Sequence, residues 1–296
     1  MSVIPYLRLM RPANIVTSIA DILMGFAVAM SVEGVATSSY NFHGLIFLII
    51  STIGLYGGGV VFNDIFDAEL DKIERPERPI PSGVVSMRNA TLLALGLFIV
   101  GILSALLVSY TSGIIALSIA LLAVTYDKYS KHHAFFGPLN MGTCRGLNLL
   151  LGISASALVL NQLYILGFIP LLYIMSVTTI SRGEVHGGNR TMLIVSLVGY
   201  LIVISLIIFL DTLQVYTISY TLPFLGIFIW MAVPSLIKAI KTPAPMEIRR
   251  AVKAGVISLV CLDATIASGF AGWGYGLLVL LLLPLSILLA KRFAVT

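Results

Sequence analysis

Charge is what this sequence has least of. Only 10% of its 296 residues are Asp, Glu, Lys or Arg, where a soluble domain of this size carries about a quarter. A soluble enzyme or a charged binding module is therefore excluded. Polar–apolar alternation at period two is also missing, and runs that are apolar all round exclude a membrane β-barrel. There are only two cysteines, Cys144 and Cys261. Both fall inside apolar runs, where they act as small apolar side chains rather than as a disulfide. No small-residue cleavage site follows the first apolar run near Asn14, so that run reads as a retained helix, not a signal peptide. Linkers, low-complexity tracts and fixed-period repeats are absent, and residues 1–296 read as one domain.

Hydrophobicity is what the chain has in excess: 58% of its residues are apolar and the mean hydropathy is +1.03. Apolar runs of about 20 residues recur along its length, each long enough to cross a ~30 Å hydrocarbon core as a helix. Ten spans are read at 14–31, 45–67, 89–109, 112–129, 139–158, 163–181, 191–210, 217–237, 252–270 and 273–290. With ten spans, all 18 Lys and Arg fall on one side, and cytoplasmic loops attract such an excess. The expectation is an all-α, multi-pass protein of the inner (cytoplasmic) membrane, in contact with membrane lipid, with both termini cytoplasmic. A nine-span reading would fuse 252–290, but "GFAGWGYG" at 269–276 looks like a tight hairpin. The formal charge of +5 could suggest an anionic partner; placement says more than the sum, and no nucleic-acid partner is expected.

Most acids lie on the same side as the basic loops. They crowd into "FNDIFDAELDKIERPERPIPSG" at 62–83, directly after the second span. If that span stays helical through residue 71, Asn63, Asp67 and Asp71 stand at i, i+4 and i+8 with Asp64 alongside, one amide and three carboxylates on a single stripe. Carboxylates so placed repel one another unless a cation binds, and a row of hard oxygens suits Mg²⁺ shared with substrate phosphates. The plainer alternative is an acidic helix end neutralised by Lys72, Arg75 and Arg78.

"NDIFDAELD" followed by "ERPERPIPSG" closely resembles the first aspartate-rich motif and following loop of the UbiA superfamily of intramembrane aromatic prenyltransferases, and "RLMRPANI" at 8–15 is similar to that family's approach to its first helix. The resemblance implies a UbiA-like helical bundle of nine or ten spans with a cytoplasmic-side active site. It implies an isoprenoid diphosphate bound through Mg²⁺, with the family's metal-binding Asn and Asp carried onto Asn63, Asp67 and Asp71. Asp67 and Asp71 are then the catalytic acids, with Asp64 in the metal set. Relatives usually carry a second acidic pair after helix 6. Here "SRGEVHGGNR" at 181–190 offers Glu184, with Asn189 as a neutral oxygen donor and His186 as a possible helper. That loop, "GPLNMGTCRGLNLLLG" at 137–152 and the terminal "FAVT" resemble the UbiA-like branch called EboC.

For the diphosphate, the resemblance implies a Tyr and a Lys after the fourth span, matched by Tyr126 with Lys131 or Lys128. Arg75, Arg78, Arg145, Arg182 and Arg190 complete the expected set. Arg145 lies two turns into the fifth span, where an unpaired cation is costly; it either pairs with an acid or reaches the diphosphate. Asp21 and Asp263, inside spans, read as helix-to-helix contacts. His132 and His133 read as a wet loop, and His43 lies on the opposite face. Asp64 and Asp127 are candidates for removing a proton from the lipophilic acceptor, expected to be aromatic or a polyol. Two other readings stand beside prenyl transfer: a non-catalytic relative acting in binding or export, and a multispan transporter.

Overall fold

The computed structural model describes residues 3–33, 42–185 and 187–293. A short helix and a long one begin the described residues: α1 (Ile4–Met10) carries proline in its first turn, and α2 (Pro12–Glu33) starts on a proline too. Proline suits a first helical turn, where its missing N–H leaves nothing unpaired. Arg11 between them takes a left-handed conformation, φ 48°, and turns the chain from one helix into the next.

The following passes are α3 (Phe42–Phe66), with the short α4 (Ala68–Glu74) continuing from it, then α5 (Met87–Leu106) and α6 (Tyr110–Thr125). Between α5 and α6 the chain reverses within residues 107–109, where Ser109 accepts the Ser112 N–H at 3.0 Å and caps α6. A π turn, Tyr126–Ser130, closes that pass. Next come α7 (Phe136–Ile153), then α8 (Ala157–Leu163) and α9 (Phe168–Ser181), joined by a 3₁₀ turn into one pass. The chain ends with α10 (Arg190–Phe209), α11 (Ile218–Lys241), the pair α12 (Pro245–Ile257) and α13 (Leu259–Ala271), and the pair α14 (Trp273–Leu280) and α15 (Leu282–Arg292).

Each of the ten expected spans is thus a helical pass. Among the described residues, nine are long and apolar enough to cross a membrane. The tenth is α7, which Asn140, Arg145 and Asn148 make too polar by composition; it lies against α2, α6 and α9, and those groups find partners on α2, on α3 and at Ser130. The fused 252–290 reading is corrected: Gly272, at φ 84°, turns the chain so that α14 packs back on α13. That pass begins at Pro245 rather than 252, because proline fits a helix start and the basic turn after it is helical.

The centre of the bundle is α2, which packs against α3, α7, α13 and α15. Without a hydrophobic force between helices in lipid, small residues that let backbones approach supply the packing. At the α2–α7 crossing, a Cβ on Gly25 would stand 2.5 Å from the Leu149 carbonyl oxygen, and one on Gly152 would stand 2.8 Å from that of Ile22. The crossing tolerates glycine alone.

Candidate functional site

A cavity of about 460 Å³ runs between α2, α3, α7, α9 and α12. Its apolar wall includes Ile174, Val177, Val252, Val256 and Leu259, and its charged end is built by the α3–α4 joint. α3 ends at Phe66 and Asp67 sits at the joint (φ −85°, ψ −3°). The backbone bonds Asp67 N–H to Asn63 O, 3.0 Å, and Asp71 N–H to Asp67 O, 2.8 Å, carry the i→i−4 register across it. Asn63, Asp67 and Asp71 therefore stay stacked, and all three line the cavity.

Each acid meets a cation or an amide. Lys131 Nζ pairs with Asp67 Oδ2, and Arg78 Nη1 with Asp71 Oδ2 at 2.7 Å. Asn63 Nδ2 donates to Asp127 Oδ1 at 2.7 Å. Asp64 departs from the expected metal set: one residue along a helix is a rotation of about 100°, and that turns it off the cavity. Its Oδ1 is buried between Arg11 Nη2, 2.7 Å, and Arg78 Nη1, 3.3 Å.

From the opposite wall Glu184, half-buried just after α9, faces the same cavity, and its Oε1 has no hydrogen-bond partner. Burial raises its pKa above the ordinary value, while the charges of Arg75 and Arg249 pull it back down. Arg75 also lines the cavity. Asn189 does not join Glu184: its side-chain oxygen accepts the Thr191 N–H at 2.8 Å and caps α10. His186 lies outside the described residues.

Among the described residues, no three Asp, Glu, His or Cys side chains are gathered closely enough to hold a metal ion as they stand. The donor chemistry nonetheless fits Mg²⁺, a hard cation that takes oxygen ligands and shares its shell with phosphates. Asn63, Asp67 and Asp71 offer such oxygens on successive turns, and Glu184 adds an orphaned one across the cavity.

The expected phosphate-binding groups divide in two. Arg75, Arg78, Tyr126, Lys131 and Arg145 line the cavity. Lys128, Arg182 and Arg190 do not. Lys128 is exposed, its Nζ 5.0 Å from the Tyr129 ring centre, because the π turn aims Lys131 inward and leaves Lys128 on the outer side. Arg182 donates to the His132 and His133 carbonyls at 3.3 Å each, tying the end of α9 to that loop. Arg190 is the exposed first residue of α10. Arg145 lines the cavity with its guanidinium already engaged. Nε pairs with Asp21 Oδ2 at 2.7 Å, and Nη2 donates to the Thr17 carbonyl at 2.6 Å. Asn148 donates to Asp21 at 2.8 Å and accepts from Thr52 at 2.7 Å. This buried network joins α2, α3 and α7, and the Asp263 carboxyl of α13 meets that of Asp21.

Two groups at the cavity escaped the sequence reading. Arg11 has no role assigned to it from sequence, though its place just before a helix-starting proline is a signal that it sits at a bend. Tyr56, two turns before Asn63 on α3, carries no sequence signal among so many apolar neighbours; both line the cavity.

Comparison with known proteins agrees with this architecture. Digeranylgeranylglyceryl phosphate synthase of Saccharolobus solfataricus is 34% identical over 156 residues, 51% of this chain and 52% of that one. The enzyme of that name from Sulfurisphaera tokodaii is 34% identical over 187 residues, 63% of this chain and 64% of that one. The chain thus spans about half to two thirds of the length of the curated relatives it matches. A solved structure concerned with digeranylgeranylglyceryl phosphate synthase in membranes superposes with a TM-score of 0.69 at 22% identity, covering 90% of this chain and 98% of that one. A UbiA homologue from Archaeoglobus fulgidus, solved with GPP and Mg²⁺ bound, gives a TM-score of 0.59 at 13% identity, covering 93% and 99%. At these identities the structural likeness concerns the fold. The profile of the UbiA prenyltransferase family matches residues 22–244, and with that match running through most of its length the chain belongs to the UbiA prenyltransferase family.

Proposed function

We propose that this protein transfers a prenyl group from an isoprenoid diphosphate to a lipophilic acceptor within the membrane, with Mg²⁺, at a site on the cytoplasmic side. One observation carries the reading: Asn63, Asp67 and Asp71 face Glu184 across a cavity whose remaining wall is largely apolar. An apolar tail and an anionic head need that pairing of surfaces. Asn63, Asp67, Asp71 and Glu184 would hold the metal, and Mg²⁺, when bound, neutralises part of the diphosphate charge and makes it a better leaving group.

The chain's own groups do the rest. Lys131 and Arg78, now on Asp67 and Asp71, exchange those carboxylates for diphosphate oxygens, so the charge of the site stays balanced. Arg75 and Tyr126 stand beside them on the cavity wall. The C–O bond of the prenyl diphosphate breaks with its electron pair on the leaving oxygen. Preorganised cations stabilise that developing charge. A nucleophilic atom of the acceptor then captures the allylic cation and loses its proton.

The relatives named for digeranylgeranylglyceryl phosphate make geranylgeranyl diphosphate the first donor to try. Purified protein is incubated with labelled geranylgeranyl diphosphate, Mg²⁺ and a lipid extract; a labelled lipid together with released diphosphate is the expected result. Binding without any labelled product would favour a second reading, a prenyl-diphosphate-binding or export partner. That reading draws on Asn189, whose oxygen is spent on a helix cap, leaving Glu184 alone on the second wall. A transporter places its charged site near the bilayer midplane; here the acids sit at a helix end.

A further inference from the structure

A primary amide presents two ends of nearly equal size and opposite chemistry: the oxygen accepts, and the NH₂ donates. Only the oxygen can face a cation. For Asn63 the choice is made by a neighbour. Its Nδ2 lies 2.7 Å from Asp127 Oδ1, and a carboxylate oxygen pairs with the NH₂ end alone. Asp127 is itself held in place. It is buried, 9% exposed, on the π turn Tyr126–Ser130, whose wide ring is closed by Lys131 N–H to Tyr126 O at 2.9 Å. Such single π turns recur where a helix must aim side chains at a functional site. This one aims two: Asp127 at Asn63 and Lys131 at Asp67.

We propose that Asp127 is a positioning residue that turns the Asn63 amide so that its oxygen, not its NH₂, is free for the metal. The inference rests on the reading that Asn63, Asp67 and Asp71 hold Mg²⁺. Partners that orient metal ligands are worth about 10–100-fold in metal affinity. The oxygens of Asp67 and Asp71 are alike within each carboxylate, so those residues need no such orientation. Asn63 alone does.

That asymmetry supplies the test. Four full-length proteins are compared in detergent micelles: the parent, Asp127→Asn, Asn63→Asp and the double variant. Mn²⁺ is titrated in the presence of geranyl diphosphate, and free Mn²⁺ is read by electron paramagnetic resonance, with thermal unfolding recorded alongside. Asp127→Asn in the parent should weaken Mn²⁺ binding about 10–100-fold, because an amide at 127 can accept from the NH₂ of Asn63 or donate to its oxygen, and so fixes neither end. In the Asn63→Asp background it should cause no such loss, since a carboxylate shows an oxygen either way and an amide at 127 can donate to it where an acid would repel it. An equal loss in both backgrounds would mean that Asp127 touches the metal or supports the fold, and would overturn the proposal, as would no loss in either. Absence of diphosphate-dependent Mn²⁺ binding in the parent would instead bring down the metal reading on which the proposal stands.

Discussion

Among the described residues, Arg145 is the cation that faces both Asp21 and Asp263, and replacing it by glutamine isolates what its charge does for the bundle. Its side chain is 7% exposed and that of Asp21 0%. Asp263 is also fully buried, with neither carboxyl oxygen given a hydrogen-bond donor. Glutamine keeps much of the length and an amide donor while removing the charge. Breaking a buried pair by deleting one partner costs about 3–5 kcal/mol, because a buried charge is stranded. Against a total stability of about 5–15 kcal/mol that is a large share. At roughly 2–4 °C per kcal/mol, Arg145→Gln should lower the unfolding midpoint by about 6–20 °C. Adding Asp21→Asn removes the carboxylate that Arg145 paired with and leaves Asp263 as the remaining buried acid, so the double variant should recover part of the loss. Cys144, partly buried, and Cys261, buried, are free thiols, so a thiol-reactive dye in detergent reports unfolding without any added label. If Arg145→Gln unfolds with the parent yet no longer binds prenyl diphosphate, the reasoning fails: the guanidinium would be holding ligand, as the sequence alone allowed, and not helices.

Asp67→Asn should weaken Mg²⁺-dependent prenyl diphosphate binding at least tenfold, about 1.4 kcal/mol, by equilibrium binding; unchanged binding in a folded variant removes Asp67 from the metal set. Glu184→Gln should raise the Mg²⁺ concentration for half-maximal activity while leaving diphosphate binding partly intact. The same variant has a pH signature. Burial raises the Glu184 pKa above 4.5, so the unfolded chain ionises first and the parent loses stability as pH climbs from 4.5 to the folded value. Glutamine lacks that loss, so unfolding midpoints measured across this window should shift in favour of the variant as pH rises. Gly25→Ala should cost about 1–3 kcal/mol by overpacking, since its Cβ meets the Leu149 carbonyl at 2.5 Å; a midpoint equal to the parent's would show that α2 and α7 can separate freely. A cysteine placed at Thr296 should be labelled from the cytoplasmic side only, and labelling from outside would reverse the topology.

The passes were legible because twenty apolar residues in a row have few other options, and the stripe at 63, 67 and 71 because helical spacing survives the joint at Asp67. What escaped has a common cause: side-chain direction near helix ends. Lys128 and Lys131 are equivalent in sequence, and a π turn of five residues decides which one meets Asp67. Asp64 reads as a ligand beside its neighbours until Arg11, 53 residues earlier, is seen to cover it. Asn189 resembles a donor for Glu184 but lies one step before α10, where its oxygen is worth more as a cap.

The central position of α2 carries a consequence for how the molecule is made. Synthesis runs from the N-terminus, so α2 enters the bilayer before the helices that enclose it exist. Asp21 must wait there for Arg145, and the Ala13 and Leu23 carbonyls for the hydroxyls of Ser286 and Tyr275, the latter 252 residues downstream of Leu23. An acid at the centre of a lone helix costs about 2.5–3.5 kcal/mol on insertion, offset by the apolar residues around it. Until α15 arrives, the nascent protein therefore leaves open to lipid one face of the helix that, among the described spans, the finished one hides most completely. A chain that stopped after α12 would leave open the face of α2 that α13 and α15 cover in the finished protein.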